Sequence, residues 1–258
     1  MRQTWTRVAA ATAATAAILA VSWVGIDAQG RGRGAAAGPA KPSPRRDLSG
    51  VWMKGAAPAG VKQFDGSAWT PGVEPPLSVW GLAEKAKSKA NNSGDFKLDE
   101  TNDPVLTKCY PPGVPRVYFH PYPFEIIHTP AAVLQVFEYD HLMRRFWVDG
   151  RSLPADPDLL WMGTSVGKWL DDTTLEVVTV GLNTKTWIDR AGTPHSDQLK
   201  VTERFHRLDF DHLEMELIME DPKALTRPYA TKGYFNLRPG WELGEISCSG
   251  DYLSWPGA

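Results

Sequence analysis

Short runs of β-branched and aromatic residues, separated by turn-forming residues at fairly regular intervals, fill the chain from Arg116 to Cys248. Such runs are typical of β-strands, and tight turns such as Tyr139-Asp-His-Leu indicate hairpins. The pattern predicts an all-β fold, either an antiparallel up-and-down barrel or a strongly curved sheet. The predicted strands are Arg116–Phe119, Phe124–His128, Val133–Tyr139, Met143–Asp149, Leu160–Trp169, Thr174–Leu182, Leu199–Arg207, Leu213–Glu220, Tyr229–Leu237 and Glu242–Cys248.

The segment before these strands, Val51 to Gly113, is rich in proline and glycine and contains one short helical candidate, Leu82–Lys89. Long irregular stretches of this kind wrap a domain or carry functional loops. We therefore expect a long irregular N-terminal wrap across one end or side of the sheet. Residues 47–258 are few enough to form a single β-rich domain.

The amino terminus has the layout of a secretory signal. Arg2 and Arg7 precede an apolar, Ala-rich run from Val8 to Ile26, and Ala28 follows it. We predict a signal peptide over residues 1–28 and a periplasmic or secreted location, with an uncleaved membrane anchor as the alternative. Residues 29–46 contain no aromatic side chain and are rich in Gly, Pro, Ala and Arg, so we predict a flexible linker.

Composition and motifs narrow the possible partners. The net charge is −2, with acids and bases interspersed, which predicts no nucleic-acid or membrane-surface partner. We expect no cofactor, because no P-loop and no G-x-G-x-x-G motif follows a strand, and no metal, because no histidine stands in ligand spacing. The 11 tryptophans exceed what packing alone needs and indicate a cavity for a small-molecule ligand or substrate.

The chain has only two cysteines, Cys109 and Cys248. In an oxidising compartment they are expected to form a disulfide that joins the beginning of the regular domain to its end. Two unpaired buried cysteines are the alternative.

Strand alternation identifies Glu203 as a candidate site residue. Leu199, Val201 and Phe205 share its face of the predicted strand, so its carboxylate should point inward. Burial would raise the pKa of this carboxyl group unless an arginine or another donor meets it. A proton-transfer role and a structural ion pair are both open.

Glu138 and Arg145 are the second pair of candidates. Glu138 shares parity with Leu134 and Val136, and Arg145 shares parity with Met143 and Trp147. Because the two strands are joined by a tight turn, a cross-strand ion pair is expected, either structural at the sheet surface or lining a ligand site inside the barrel. The predicted ligand-binding residues are Glu138, Arg145, Trp147, Trp161 and Trp187.

The loop from Asn183 to Asp197 carries the densest set of reactive side chains. Loops held by a rigid sheet are common places for binding and catalytic groups. His195 could act as a general base oriented by Asp189 or Asp197, since imidazole titrates near neutral pH and needs a partner that fixes its tautomer. A turn histidine with only structural contacts is the alternative.

Several motifs resemble a group of exported bacterial proteins usually described as hypothetical. This resemblance implies export and a single domain and brings no activity with it. Gly50-Val-Trp52 is also similar to the G-x-W motif of lipocalin-like barrels, in which the tryptophan closes one barrel end. The motifs of the first resemblance are Asp47-Leu-Ser-Gly-Val-Trp52, the run from Asp103 through Cys109-x-Pro-Pro-Gly-x-Pro-Arg116, Asp149-Gly-Arg151, Trp161-x-Gly163-x-Ser-x-Gly167-x-Trp169 with Asp172-Thr, Gly192-x-Pro-His-Ser196 and Glu203-Arg-Phe.

Two classes of function follow from these observations. In the first, the domain binds a small, largely apolar or aromatic ligand in a Trp-lined cavity. In the second, the same cavity belongs to an enzyme of acid–base chemistry, a hydratase, isomerase, lyase or hydrolase, with His195 or Glu203 moving the proton. A surface-interaction module without an enclosed pocket is a third possibility.

Overall fold

A computed structural model describes residues 41–57, 63, 74–90 and 98–248. Nine strands form a closed barrel in which each strand pairs with its neighbour in the sequence and β9 pairs with β1. The all-β prediction is therefore confirmed. The strands are β1 Gly50–Lys54, β2 Phe124–His128, β3 Ala132–Phe137, β4 Met143–Trp147, β5 Thr164–Trp169, β6 Thr174–Val180, β7 Lys200–Arg207, β8 His212–Glu220 and β9 Tyr229–Leu237.

One pair of strands departs from the antiparallel up-and-down pattern. β4 and β5 are parallel, with Phe146 opposite Ser165 and Trp147 opposite Val166. The other eight pairs are antiparallel. Parallel neighbours need a connection of about a dozen residues or more, and the long segment 148–163 provides it by returning the chain to the end at which β4 began.

Two of the predicted strands are wrong. Arg116–Phe119 forms a 3₁₀ helix, η2, in which all four side chains are buried. A strand in a barrel wall alternates between buried and exposed side chains, so a fully buried run suits a turn that projects into the core. Residues 242–248 add no strand to the barrel, because β9 already pairs with β1 and a closed barrel has no edge left to extend.

In the described ranges, all helices lie between β1 and β2 in the sequence, and η2 is the last of them. Helix α1, Val79–Lys85, begins at Ser78, whose hydroxyl accepts the Gly81 N–H, so the predicted Leu82–Lys89 helix starts earlier than expected. A Cβ at Gly81 would lie 2.4 Å from the Ala224 carbonyl oxygen, so this glycine lets α1 pack closely against the barrel. The remaining helices are η1, Leu98–Glu100, and α2, Pro104–Lys108.

The barrel interior is filled by large side chains. Val201, Glu203, Phe205 and Arg207 point inward from β7, as the alternation predicted. Aromatic rings pack between strands, with centroids 5.0 Å apart for Phe124 and Phe235. The other buried core residues from the strands include Ile126, Val133, Phe137, Phe146, Leu175, Val177, Leu213, Met215, Leu217 and Met219.

Trp52 and Arg207 pack against each other at the point where the N-terminal segment enters the barrel. Trp52 is fully buried, and its indole N–H donates to the Leu48 carbonyl at 2.8 Å. The Arg207 guanidinium lies 5.1 Å from the ring centroid and donates to the backbone carbonyls of Asp47 and Phe210. This contact ties the first strand to β7.

The predicted signal peptide and most of the predicted linker lie outside the described residues. The last residues of that linker contact the barrel: Arg45 pairs with Asp172 at 2.7 Å, and the Lys41 carbonyl accepts the Phe210 N–H. In the described ranges, no helix combines the length and the apolar character needed to cross a membrane.

The predicted disulfide between Cys109 and Cys248 is present. It fastens residues 241–248, here called the C-terminal strap, to the end of α2. The strap also lies along the β3–β4 turn, where the Asp140 N–H donates to the Ile246 carbonyl at 2.7 Å and Glu138 accepts the Gly244 N–H at 2.8 Å.

We expect the Cys109→Ser/Cys248→Ser variant to lose about 4–5 kcal/mol of unfolding free energy, because the disulfide closes a loop with a sequence separation of 139. Urea titration at neutral pH measures the loss. Wild-type protein kept in reductant should match the variant, and the variant itself should not respond to reductant. An equal response of both proteins to reductant would contradict this role.

Candidate functional site

The first candidate site residue, Glu203, lies inside the barrel and is paired with Arg144. Both side chains are almost completely buried, at 0% and 1% exposure. The guanidinium meets the carboxylate with two parallel bonds, Nη1 to Oε1 at 2.8 Å and Nη2 to Oε2 at 2.6 Å. This bidentate geometry is the strongest arrangement for such a pair.

Neutral polar groups complete the interior network. The Tyr118 hydroxyl lies 2.6 Å from Glu203 Oε1 and accepts a bond from Arg144 Nη1 at 2.7 Å. Gln135 and Thr179 also contact Arg144, at 3.3 and 3.0 Å. Burial, with the Glu203 charge adding to it, raises the pKa of Tyr118 well above its usual value. Both Glu203 oxygens already accept strong bonds, as expected for the structural ion pair.

Of the two alternatives for Arg145, the lumen site is wrong, because the inward arginine is its neighbour. Arg144 and Phe146 are buried on β4, whereas Met143 and Arg145 are exposed. The prediction failed because it took apolar Met143 as an inward residue, although that side chain is 52% exposed. On β3 the buried residues include Val133, Gln135 and Phe137, so Glu138, which follows with the opposite parity, lies outside the lumen.

Glu138 and Arg145 have separate partners among the described residues. Glu138 accepts the Gly244 N–H of the C-terminal strap at 2.8 Å. The Arg145 guanidinium lies 4.9 Å from the Trp147 ring centroid, and Arg151 lies 3.6 Å from the same ring. The structure therefore does not bring Glu138 and Arg145 together as an ion pair in a lumen site.

Trp147 and Trp161 lie outside the barrel interior. Both are only partly buried. Trp161 packs against Tyr110 with ring centroids 4.9 Å apart, and the Lys185 ammonium lies 5.5 Å from its centroid. These rings cover the outer surface instead of lining an internal cavity.

A cleft of about 490 Å³ lies beside the barrel, between α1 and the loop 183–197. Two tryptophans line it, Trp80 from α1 and Trp187 from the loop, together with the buried His195. Three of the predicted site features, the loop, Trp187 and His195, therefore meet at one place. The remaining lining residues are Glu84, Lys87, Ser88, Asn102, Pro104, Leu159, Thr184, Thr186, Pro194, Ser196, Asp197 and Lys223.

Asp189 shapes the loop that forms this cleft. Its side chain is fully buried, and its Oδ1 accepts the N–H groups of Ala191 and Thr193 at 2.8 and 2.9 Å. Between them, Gly192 has φ +81, and a Cβ there would lie 2.6 Å from the Ser88 Cβ. The loop can therefore pack directly on the segment after α1. Asp189, predicted to orient His195, has the observed role of folding this turn.

The His195 imidazole is neutral at neutral pH, and one of its ring nitrogens forms a hydrogen bond. Its side chain is 6% exposed, and Nδ1 lies 2.9 Å from the Ser196 carbonyl oxygen. Burial lowers the pKa of His195; the Ser196 carbonyl and the charges of Asp221 and Asp197 oppose this shift without cancelling it. Because a carbonyl only accepts, Nδ1 carries the proton.

Asp221 is a supporting residue that sequence reasoning missed. Its carboxylate, 3% exposed, accepts the Ser196 N–H at 2.6 Å and the Ser196 hydroxyl at 2.7 Å, which holds the residue next to His195. Asp221 and Pro222 form a bend directly after β8. Two further N–H groups, those of Lys223 and Ala224, show that the carboxylate also caps that bend.

A buried group of side chains around Arg116 lies next to Trp187 of the cleft. Arg116, 1% exposed, donates to the Asp103 carboxylate, and its guanidinium lies 5.6 Å from the Trp187 centroid. His120 stacks on Tyr139 with centroids 4.5 Å apart. Burial, followed by the charges of Arg116 and Arg190, lowers the pKa of His120 well below its usual value.

A second cleft, of about 310 Å³, lies where the N-terminal segment meets the end of β9. Asp47, Arg207, Arg238 and Trp241 are among the residues that line it. Across the described ranges, no three His, Cys, Asp or Glu side chains are arranged to hold a metal ion.

Comparisons with known protein families, curated proteins and solved structures found no match to this chain. The resemblances noted from the motifs therefore stay predictions, and the function has to be argued from the geometry of the site.

We expect Arg144→Met to cost about 3–5 kcal/mol of unfolding free energy, because it leaves the Glu203 carboxylate buried without a counter-charge. The double variant Arg144→Met/Glu203→Leu should recover a large part of this loss. The matched control is Arg204→Met, since Arg204 pairs with Glu176 and Glu216 on the outer face at 41% exposure and should contribute under about 1 kcal/mol. Equal losses for Arg144→Met and Arg204→Met in chemical denaturation would refute the structural assignment.

Acid should destabilise the protein before its carboxylates titrate. Burial lowers the pKa values of His120, His128 and His195 in the folded state, so the unfolded chain binds protons first as the pH falls below 6.5. Stability should be full above that pH and should decline as the pH drops toward the folded pKa values. His120→Phe, which keeps a ring beside Tyr139, should flatten this decline, whereas His141→Asn in an exposed turn should not. Melting temperatures between pH 7.5 and 5 test both expectations.

Proposed function

We propose that the domain binds a small, largely apolar or aromatic ligand in the cleft between α1 and the loop 183–197. One observation carries the proposal: two tryptophan rings and a buried, neutral histidine line the same cleft. Aromatic walls beside fixed polar groups are typical of small-molecule sites, and here the two rings stand among ten polar or charged lining residues.

The volume and the rigidity of the cleft support this role. Its 490 Å³ falls within the range of about 300–1,000 Å³ that small-molecule sites occupy. Arg116 lies against Trp187 behind the wall of the cleft, and Lys85 of α1 donates to Thr193 of the loop at 3.1 Å. A wall held in place from both sides loses little side-chain entropy when a ligand binds.

The barrel interior is a poorer candidate for the ligand. Arg144 and Glu203 neutralise each other's charge, and phenylalanine rings pack around them. A ligand in the lumen would have to displace this network and leave charges unpaired. The cleft requires no such rearrangement.

An enzyme of acid–base chemistry is the second candidate function, and His195 is the residue that favours it. A neutral imidazole whose Nδ1 is fixed by a carbonyl presents Nε2 as a possible general base. Glu203 is no longer a candidate for proton transfer, because its oxygens bind Arg144 and Tyr118.

We also propose that the protein acts in the periplasm or after secretion. The disulfide between Cys109 and Cys248 supports this, because disulfides persist in oxidising compartments. The signal-like amino terminus and the resemblance to exported bacterial proteins agree with it.

2-Naphthol is a suitable probe of the binding role, measured by equilibrium dialysis. We expect Trp187→Leu to weaken its binding about tenfold or more, because a large aromatic contact is lost. Trp241→Leu, which alters the second cleft, should leave the Kd within about twofold of the wild-type value. Equal effects of the two substitutions, or no binding to the folded wild-type protein, would reject the proposal.

The same samples distinguish a binding protein from an enzyme for this class of probe. Chromatography of the probe after long incubation should return it unchanged if the cleft only binds it. Conversion by the wild-type protein and not by His195→Ala would favour the enzyme.

A further inference from the structure

His195 presents a hydrogen-bond acceptor to the cleft. Nδ1 donates to the Ser196 carbonyl, so the lone pair is on Nε2. Among the described residues Nε2 accepts no hydrogen bond, and this atom keeps contact with solvent at the cleft that His195 lines. A ligand with an O–H or N–H donor can therefore bind Nε2 in place of water.

Three hydroxyl groups that line the cleft cannot supply this donor, because their protons are used elsewhere. Ser88 donates to the Gly192 carbonyl, Thr186 to the Pro112 carbonyl and Ser196 to Asp221. These three hydroxyl oxygens therefore offer the cleft lone pairs and no donor.

The charged groups around His195 leave its acceptor character intact. Asp221 is occupied by Ser196, and Lys87 pairs with Glu84 at 2.6 Å. The Lys223 ammonium lies 4.7 Å from the Trp80 ring centroid. Asp197, in the same loop as His195, and Asp221 both favour protonation, but burial outweighs them and lowers the pKa of His195.

We infer that the ligand of the cleft is an aromatic molecule that carries an O–H or N–H donor, as phenols, indoles and aromatic amines do. Its donor binds Nε2 of His195 and its ring lies against Trp187. This inference rests on the proposed binding function and adds the chemical class of the ligand to it.

A matched pair of probes tests the inference. 2-Naphthol and 2-methoxynaphthalene share a ring system, and only the first has a donor. The wild-type protein should bind 2-naphthol about threefold to tenfold more tightly at pH 7.5, the value of one neutral hydrogen bond. In His195→Leu this preference should disappear, while binding of 2-methoxynaphthalene stays within about twofold of wild type and shows that the cleft is intact.

Two further measurements keep the inference falsifiable if His195→Leu disturbs the loop. In the wild-type protein, the preference for 2-naphthol should be lost as the pH falls through the folded-state pKa of His195, which burial lowers, because a protonated imidazole no longer accepts. Trp187→Leu should weaken both probes by the same factor and keep their ratio.

The outcomes separate the two proposals. Binding of both probes with equal affinity, or a preference that persists in His195→Leu and at low pH, would overturn the inference and leave the proposed binding function standing. Failure of both probes to bind the folded protein would overturn the two together.

Discussion

The bidentate bond between Arg144 and Glu203 is the interaction on which the rest of the structure depends. It links β4 to β7 across the barrel interior, and through Tyr118 it also holds η2 against the inner face. A charge pair this deeply buried needs further hydrogen bonds, and Tyr118 and Thr179 supply them, while Arg144 Nε has no partner among the described residues. Much of the polar interior is therefore engaged in structural contacts.

The cleft beside the barrel is built by parts of the chain that are not strands. The chain before β2 contributes Trp80 and the Asp103–Arg116 pair, whose arginine lies against Trp187, and the loop after β6 contributes Trp187 and His195. The barrel holds these segments in fixed positions. Chemistry placed on such loops can differ between proteins without altering the core.

The observed site differs from the expected one in its location more than in its residues. His195 and Trp187 lie in the cleft, whereas Glu138, Arg145, Trp147 and Trp161 contact other parts of the surface. On β4, an error of one residue in assigning the inward face exchanges Arg145 for Arg144 as the inward arginine, because strand side chains alternate with a period of two. The apolar side chain of Met143 could not reveal this error, because it is exposed although apolar residues usually mark the inward face.

The sequence by itself determined the β class, the positions of most strands, the inward direction of Glu203 and the pairing of Cys109 with Cys248. These features follow from alternation, turn residues and cysteine number, which are local or countable properties. Tertiary structure alone decided that β4 and β5 run parallel, that Arg144 is the partner of Glu203, and that the cleft lined by Trp80, Trp187 and His195 lies outside the barrel. Each of these three features depends on which segments, distant in the sequence, come into contact. The residue pattern within one segment carries no information about those contacts.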